Sequence, residues 1–300
     1  MHTLNHSTYC FVLLYLFYSF CIIAVDGTMF KHISREKLYV SEPDPRMFGN
    51  GRNEQLPTWS NGNWLKSRFH FSFAEYHSPH NQNYGVLRVM NDDLVQPSRG
   101  FGEHPHRDME ICTYIVSGNL THQDSMGTAE TLTRGAIQFM TAGTGVYHSE
   151  HNKNPDSPLR FIQMWINPRR RGLQPNYGSG VTDVEARHNK FAHLVSDVQN
   201  KAVSTPIKIN QDANIHVSEF DLGKTVEFSV EEGRQAYVLC VEGSGVQVSG
   251  SGKFLTSMEK HDAGEASGPV SLQFTSNESS GGHVLIVEMN KESGAGRTDL

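Results

Sequence analysis

Two pairs of potential metal ligands stand out in the sequence because the members of each pair are separated by one residue. The first pair is His104 and His106, and the second pair, further along the chain, is His148 and Glu150. Residues two apart on a β-strand point to the same face, so each pair would project together. If the two strands lie side by side with these faces inward, the four side chains converge on one point.

Three neutral imidazoles and one carboxylate suit Fe(II), Mn, Ni, Co or Cu, and leave positions open for water, substrate or dioxygen. A closed structural zinc site would more usually contain cysteine ligands. The sequence therefore predicts one divalent metal ion, with Fe(II) expected and Ni, Mn, Co, Cu or Zn as alternatives. Glu110 has the same parity as His104 and His106. It is a further candidate, either as an outer partner of a ligand imidazole or as an inward polar residue that binds water.

The residues around these ligands have the pattern of short strands separated by glycine turns. Residues 69–73 alternate large and polar side chains, and residues 85–90 form another strand pattern, followed by a predicted turn at Asn91-Asp92-Asp93. Further strands are predicted at 110–116, 118–123, 129–132, 136–141 and 159–167. A second block has strands at 215–220, 225–230, 236–242, 245–249, 271–275 and 283–289. The similar rhythm of the two blocks predicts an all-β chain of two consecutive small β-barrels with few short helices.

The chain divides into four predicted segments. Residues 1–28 form a hydrophobic leader, and residues 29–60, which are rich in Pro, Gly and Asn, form a linker with little structure. Residues 61–185 form the metal-binding barrel, and residues 186–295 form the second barrel. Residues 9–25 carry no charge, which predicts a cleaved signal peptide or a membrane anchor, with an organelle-targeting leader as the alternative. The expected location is the secretory pathway or a membrane, with an organelle or the cytoplasm as alternatives.

Charge and cysteine content narrow the functional classes. The 300 residues include 26 Lys and Arg against 32 Asp and Glu, for a net charge of −6, which gives no reason to expect nucleic-acid binding. Of four cysteines, Cys10 and Cys21 lie in the apolar segment, so the chain has no disulfide framework. Cys112 and Cys240 are predicted to be buried thiols, with a bridge between them as the alternative. The sequence leaves open whether the protein is a monomer or a dimer.

The stretch from Gly102 to Asn152 resembles the two motifs of the cupins, and specifically those of the pirin family. HPHRDMEICTYIVSG carries the first motif, TAGTGVYHSEHN carries the second, and FIQMWINP follows them. The chain is most similar in kind to bacterial pirin-like bicupins with quercetinase activity. This resemblance implies a bicupin of the double-stranded β-helix type, metal ligands at His104, His106, His148 and Glu150, and a second barrel without metal ligands.

The resemblance also implies a function. It is that of a metal-dependent dioxygenase of the quercetin 2,3-dioxygenase type, which opens flavonol rings with dioxygen. Glu150, or Glu110 if it reaches, would be the general base that accepts the proton of the 3-hydroxyl group. The alternatives are a non-catalytic, redox-responsive regulator that binds metal, a dioxygenase for another phenolic substrate, and a structural or storage bicupin. A fold alone does not choose among them.

Overall fold

The structure is a computed structural model that describes residues 30–52, 63–277 and 279–291. The chain is nearly all β, and its strands in the first half are β1 (Phe30–Ile33), β2 (Tyr39–Ser41), β3 (Leu65–Phe69), β4 (Leu87–Val95), β5 (Arg99–His106), β6 (Glu110–Ser117), β7 (Leu120–Asp124), β8 (Ala129–Leu132), β9 (Ala136–Thr141), β10 (Val146–Asn152), β11 (Leu159–Ile166) and β12 (Asn176–Val181). Those of the second half are β13 (Ala192–Asp197), β14 (Ile207–Ile209), β15 (Ala213–Phe220), β16 (Thr225–Val230), β17 (Arg234–Glu242), β18 (Val246–Gly250), β19 (Lys253–Met258), β20 (Ala263–Ser267), β21 (Val270–Thr275) and β22 (Gly282–Asn290).

The helices of the described residues are short. They are two 3-10 turns, Arg35–Lys37 and Met47–Gly49, and one α-helix, Val184–Arg187. Across the described ranges, none of the helices has the length and apolarity needed to span a bilayer. The predicted leader, which includes the apolar segment 9–25, lies outside the described residues.

The two halves of the chain repeat one architecture. The first barrel pairs a seven-stranded sheet, in the order β12-β9-β6-β11-β4-β3-β2, with a four-stranded sheet, β5-β10-β7-β8. The second barrel pairs β1-β20-β17-β22-β15-β13-β14 with β16-β21-β18-β19. Position by position, β5 and β10 of the first barrel correspond to β16 and β21 of the second. The predicted all-β architecture of two consecutive cupin barrels is confirmed.

Strand alternation gives each seven-stranded sheet an inner face towards its own barrel and an outer face towards the other barrel. In the first barrel Ile115 and Phe161 point inward to one apolar cluster. Tyr114 and Ile162, one position away, belong instead to a larger cluster that also contains Leu239 and other residues of the second barrel. The barrels therefore pack sheet against sheet. Along each strand, residues point alternately into the interior of their own barrel and towards the seam between the barrels.

The interior of the second barrel is filled with apolar side chains at the strands that carry the ligand pairs in the first. Val226 and Val230 on β16, and Leu272 and Phe274 on β21, are all buried in one cluster. Close-packed aliphatic and aromatic groups fill the interior at these four positions, and the absence of metal ligands from the second barrel stays a prediction.

Residues 30–52 differ from the predicted linker with little structure. β1 pairs with β20 at the edge of the second barrel, and β2 pairs with β3 at the edge of the first. Phe30 is buried in the core of the second barrel. The expectation is therefore wrong for these residues, because short edge strands depend on tertiary pairing that Pro- and Gly-rich composition does not reveal. Residues 53–62 lie outside the described part, and the predicted domain boundaries remain predictions.

Two other local predictions are corrected. Asn91, Asp92 and Asp93 form no turn, because β4 runs through them to Val95. The predicted strand over residues 69–73 instead ends at Phe69. Polar residues inside a fully buried strand gave the false turn signal.

Candidate metal centre

Three imidazoles meet at the junction of two neighbouring strands. β5 and β10 are antiparallel, and His148 lies directly opposite His104. The ring centroids form a nearly equilateral triangle, with 4.8 Å from His104 to His106, 4.6 Å from His104 to His148 and 4.7 Å from His106 to His148. One nitrogen from each ring lies within 4.8 Å of the others. The predicted pairing of the two strands therefore brings these three residues together.

The protonation and the unpaired nitrogen atoms of these rings fit a bound metal ion. Both ring nitrogens of the buried His148 are without a hydrogen-bond partner among the residues that the structure describes. Burial, together with the neighbouring imidazoles, lowers the pKa of His148 to about 2, so its ring is neutral. His104 Nδ1 lies 2.7 Å from the carbonyl oxygen of Gly102, which can only accept, so Nδ1 carries the proton and Nε2 keeps its lone pair. An orphaned buried imidazole beside two others is the arrangement that a bound cation satisfies.

Glu150 lies on the same strand but is held to one side. A register shift falls between His148 and Glu150. Gln138 Nε2 donates to Glu150 Oε1 at 2.8 Å, and Gln163 Nε2 donates to Oε2 at 2.9 Å, while Thr113 Oγ1 lies 3.2 Å from Oε1. Burial raises the pKa of Glu150 to about 7, although these hydrogen bonds act in the opposite direction. The carboxylate is thus positioned by three neighbouring side chains.

Two overlapping groups of potential ligands describe this region. The first is His104, His106 and His148, and the second is His122, His148 and Glu150. Both groups belong to the first barrel and share His148. A carboxylate oxygen of Glu150 therefore lies within 4.8 Å of a ring nitrogen of His148 and of one of His122, and Glu150 is not a member of the group that contains His104 and His106. The structure supports three nitrogen ligands directly, and assignment of Glu150 as the fourth remains a prediction.

Glu110 lies elsewhere. Its carboxylate accepts hydrogen bonds from Thr141 Oγ1 at 3.0 Å and from the backbone nitrogen of Asn210, in the second barrel, at 3.2 Å. The parity argument fails because a turn separates β5 from β6, and Glu110 is on the outer face of β6, like Cys112. Burial raises the pKa of Glu110, with these hydrogen bonds opposing the change. Glu110 is a contact between the barrels, which corrects its prediction as a base or ligand partner.

A cavity of about 260 Å³ opens beside the imidazoles of His104 and His106. Its wall is mostly apolar and includes several aromatic rings, and polar side chains lie on the sheet side. Its lining includes Phe48, Ser67, Phe69, Phe73, Asn91, Asp93, Glu150, Gln163 and Trp165. A larger cavity of about 670 Å³ lies by Arg134 and His283, and the three clustered imidazoles do not line it. Of these two cavities, the smaller one adjoins the clustered imidazoles.

Phe48 covers the cavity from the N-terminal segment. Its ring centroid lies 5.6 Å from that of His104 and 6.0 Å from that of Trp64. The backbone of Phe48 has a φ of 56°, an unusual value for a residue with a large side chain. A Cβ on Gly102 would lie 3.2 Å from Cδ1 of the Phe48 ring, so the glycine makes room for this aromatic contact. A segment expected to be a linker thus forms part of the site.

Comparison with known proteins decides the family. The family model described as Pirin matches residues 51–166, and the model described as Quercetinase C-terminal cupin domain matches residues 195–289. A protein of Pseudomonas aeruginosa named "Putative quercetin 2,3-dioxygenase PA1210" is 39% identical over 230 residues, which cover 77% of this chain and 94% of that protein. The chain belongs to the pirin family.

Other pirins support this assignment. A pirin-like protein of Caulobacter vibrioides is 40% identical over 187 residues, covering 62% of this chain and 79% of that protein. Among solved structures, the bacterial pirin YhhW from Escherichia coli in complex with nickel(II) matches with a TM-score of 0.70 and 26% identity, covering 87% of this chain and 99% of that one. The predicted resemblance is confirmed, and a metal site of the pirin type agrees with the cluster in this chain.

His122 is a further member of the cluster of potential ligands, and the sequence did not predict its position there. His122 on β7 is fully buried, lies opposite Glu150, and stacks on Tyr177 with ring centroids 4.5 Å apart. Its Nε2 lies 3.0 Å from Asp124 Oδ2, and its ring centroid lies 5.3 Å from that of His148. The sequence predicts a strand over residues 118–123 but no site role for His122. Asp124 accepts backbone hydrogen bonds from Met126 and Thr128 in the turn that follows β7, and the alternation of His122 and Asp124 along the strand is the signal for an inward position of His122.

Proposed function

We propose that this pirin is a metal-dependent dioxygenase of the quercetin 2,3-dioxygenase type, with Fe(II) as its ion. The observation that carries the proposal is the aromatic cavity that opens onto His104 and His106, beside the orphaned ring of His148. Relatives named as quercetin 2,3-dioxygenases support the reaction class. The nickel(II) complex of YhhW makes Ni the first alternative ion, and Mn, Co, Cu and Zn remain further ones.

His104, His106 and His148 would hold the ion, with Glu150 as the proposed fourth ligand. When bound, a divalent ion supplies Lewis-acid activation of an oxygen donor and positions for small molecules such as dioxygen. The protein contributes the rest. The rings stay neutral, since desolvation of the half-buried His106 lowers its pKa to about 3, and their nitrogen lone pairs are therefore available near neutral pH.

Glu150 is the residue that we assign as general base. A base works best when its pKa lies near the working pH, and burial places the pKa of Glu150 at about 7. The amides of Gln138 and Gln163 fix its carboxylate, so it can accept the proton of a flavonol 3-hydroxyl group without reorienting. Its dual assignment as ligand and base is the same as that made from the sequence. Glu110 has no part in this proposal.

The cavity walls suit a flat aromatic substrate. Phe73 packs on Trp165 with ring centroids 5.3 Å apart, and Trp165 lies 4.8 Å from His106. Aromatic walls stack on planar rings and exclude water, while a few polar groups fix orientation. Within this wall a flavonol would place its oxygen-bearing ring towards the imidazoles. Dioxygen would then cleave that ring, with loss of carbon monoxide.

Oxygen uptake tests the proposal. The full chain is loaded with Fe(II) without air and mixed with quercetin in aerated buffer, alongside a His148→Ala variant. The matched control is His193→Ala, which removes a half-buried imidazole from the second barrel. We expect uptake and carbon monoxide release by the parent and the control, and neither by His148→Ala. Stoichiometric metal with no uptake in the Fe, Ni, Mn and Co forms would refute the proposal and favour a metal-binding regulator or another phenolic substrate.

We also propose that residues 9–25 direct the chain to the secretory pathway or to a membrane, on the strength of their uncharged, apolar sequence. The N-terminal sequence of the mature protein tests this. A mature protein that starts after residue 25 and is found outside the cytoplasm fits a signal peptide, and one that keeps the segment and sediments with membranes fits an anchor. A full-length chain in the soluble cytoplasmic fraction would refute both.

A further inference from the structure

A row of side chains crosses the inner face of the seven-stranded sheet of the first barrel. Register places Gln138, Thr113, Gln163, Asn91 and Phe69 next to one another on β9, β6, β11, β4 and β3. The first three all contact the carboxylate of Glu150. Asn91 continues the polar row by one strand, away from this carboxylate.

Asn91 has a polar atom that the protein does not satisfy. The residue is 3% exposed and lines the cavity, and its Oδ1 accepts no hydrogen bond from any described residue. Leaving a buried acceptor unpaired is costly, and such atoms in native structures are usually satisfied by a ligand or water. Asn91 therefore marks a place on the wall where a hydrogen-bond donor binds.

Other polar groups lie beside this atom. Asp93, two residues along β4 and so on the same face, also lines the cavity and accepts a hydrogen bond from Ser67. Trp165, two residues along β11 from Gln163, lines it too, and its buried Nε1 is without a partner among the described residues. The Oδ1 acceptor of Asn91 and the Nε1 donor of Trp165 thus remain open on one wall of the cavity.

We propose that Asn91, flanked by Asp93 and Trp165, forms a subsite that binds a phenolic hydroxyl group of the substrate. The inference rests on the proposed function, because it orients a flavonol in the same cavity. Adjacent strands lie about 4.8 Å apart, so the amide of Asn91 is about one strand spacing beyond that of Gln163. A substrate hydroxyl that binds Asn91 would therefore lie farther from Glu150 than the hydroxyl that Glu150 deprotonates. The two hydroxyls belong to different parts of the ring system. The chemical class is a flat polyphenol with a hydroxyl remote from the reacting end.

Binding of two probes to the metal-loaded full chain tests the subsite. Quercetin carries ring hydroxyls besides the 3-hydroxyl, and 3-hydroxyflavone has the same ring frame without them. Quenching of tryptophan fluorescence gives the Kd of each in the absence of oxygen. We expect the parent to bind quercetin about tenfold more tightly, the effect of one hydrogen bond to a buried acceptor. Asn91→Leu, nearly isosteric but apolar, should lose this preference, and Asn91→Asp, which keeps an oxygen there, should retain part of it.

The matched control is Asn214→Leu, which removes a partly buried strand amide from the second barrel. It should keep the preference for quercetin. Circular dichroism and metal content check that each variant folds. If Asn91→Leu does not fold, Asn91→Ala is used in its place. Equal affinity of the parent for both probes, binding of neither, or a preference that survives Asn91→Leu or Asn91→Ala would overturn the subsite. Selective binding without oxygen uptake would instead support the subsite and refute only the dioxygenase.

Discussion

Replacement of Arg160 by Met removes the one arginine that, among the residues that the structure describes, donates hydrogen bonds to a buried carboxylate at the seam between the barrels. Arg160 Nε and Nη2 donate to the two oxygens of Asp92 at 2.8 and 2.7 Å, and Nη2 also donates to the carbonyl of Val241 in the second barrel at 2.8 Å. Asp92 is fully buried and Arg160 is 4% exposed. The Arg160→Met variant would leave the carboxylate with His261 Nδ1, 2.6 Å away, as its remaining side-chain partner in this bridge.

The expected cost follows from this geometry. Breaking a buried ion pair by removing one partner destabilises a protein by about 3–5 kcal/mol, because the other charge stays buried. At about 2–4 °C per kcal/mol for a chain of this size, the melting temperature should fall on the order of 10 °C. Replacing both residues, as Asp92→Leu with Arg160→Met, should restore most of the loss, because no unpaired charge then remains.

The effect should depend on pH. Burial alone would raise the pKa of Asp92, but the charge of Arg160 and the hydrogen bonds from Arg160 and His261 hold it well below its usual range. A lowered carboxyl pKa stabilises the fold above its unfolded value of about 3.9, and this stabilisation is lost as the pH falls. Without Arg160 the pKa is no longer held down. The gap in melting temperature between parent and variant should therefore be largest near neutral pH and shrink as the pH falls towards about 4 and below.

Thermal unfolding followed by far-ultraviolet circular dichroism at several pH values measures this gap. The control is Arg46→Met, which breaks the exposed pair of Arg46 with Asp44 and should not change the melting temperature measurably. A melting temperature of Arg160→Met within about 2 °C of the parent near neutral pH would refute the reasoning. A gap that widens as the pH falls would refute it as well.

Two further predictions concern the metal centre. Gln163→Leu removes a hydrogen bond from the carboxylate of Glu150, and loss of such an outer partner should lower metal affinity or kcat about 10–100-fold. Metal titration and oxygen uptake measure these two quantities. If both were unchanged in the variant, Gln163 would have no role in positioning Glu150. Phe48→Ala takes away the aromatic cover over His104 and should raise KM for quercetin with little change in kcat, whereas an unchanged KM would show that Phe48 does not contact the substrate.

The positions of the two pairs of candidate ligands could be predicted from the sequence because strand periodicity is a local property. For the three imidazoles to meet, the strand of His104 and His106 had only to lie beside the strand of His148. The strands β8, β9 and β16 likewise follow the predicted bounds, since alternation and flanking glycines determine them. The pattern did not show which side chains of each strand point into their own barrel and which point towards the other barrel.

Orientation and tertiary pairing account for the errors. Glu110 shares the parity of His106 along the chain, but a turn between the strands resets it, so Glu110 faces the second barrel. Asp92 and Arg160 are far apart in sequence, and only their pairing on the neighbouring strands β4 and β11, at the face towards the second barrel, makes a charged residue acceptable inside a strand. Phe48 belongs to the site through contacts that its Gly- and Pro-rich surroundings do not reveal. These features depend on contacts between residues that are far apart in the sequence, and local patterns in a single sequence do not reveal such contacts.

The measurement that tests the central claim most directly is the metal content of the purified full chain. The parent, His148→Ala and His193→Ala are loaded with Fe(II) without air, freed of loose metal by dialysis, and assayed by mass spectrometry of the ion. The account predicts one tightly bound ion per chain in the parent and in His193→Ala, and a loss of that ion in His148→Ala, because His148 completes the cluster of three imidazoles. A parent that retains no Fe, Ni, Mn or Co after loading, or a His148→Ala variant that retains a full equivalent, would contradict it.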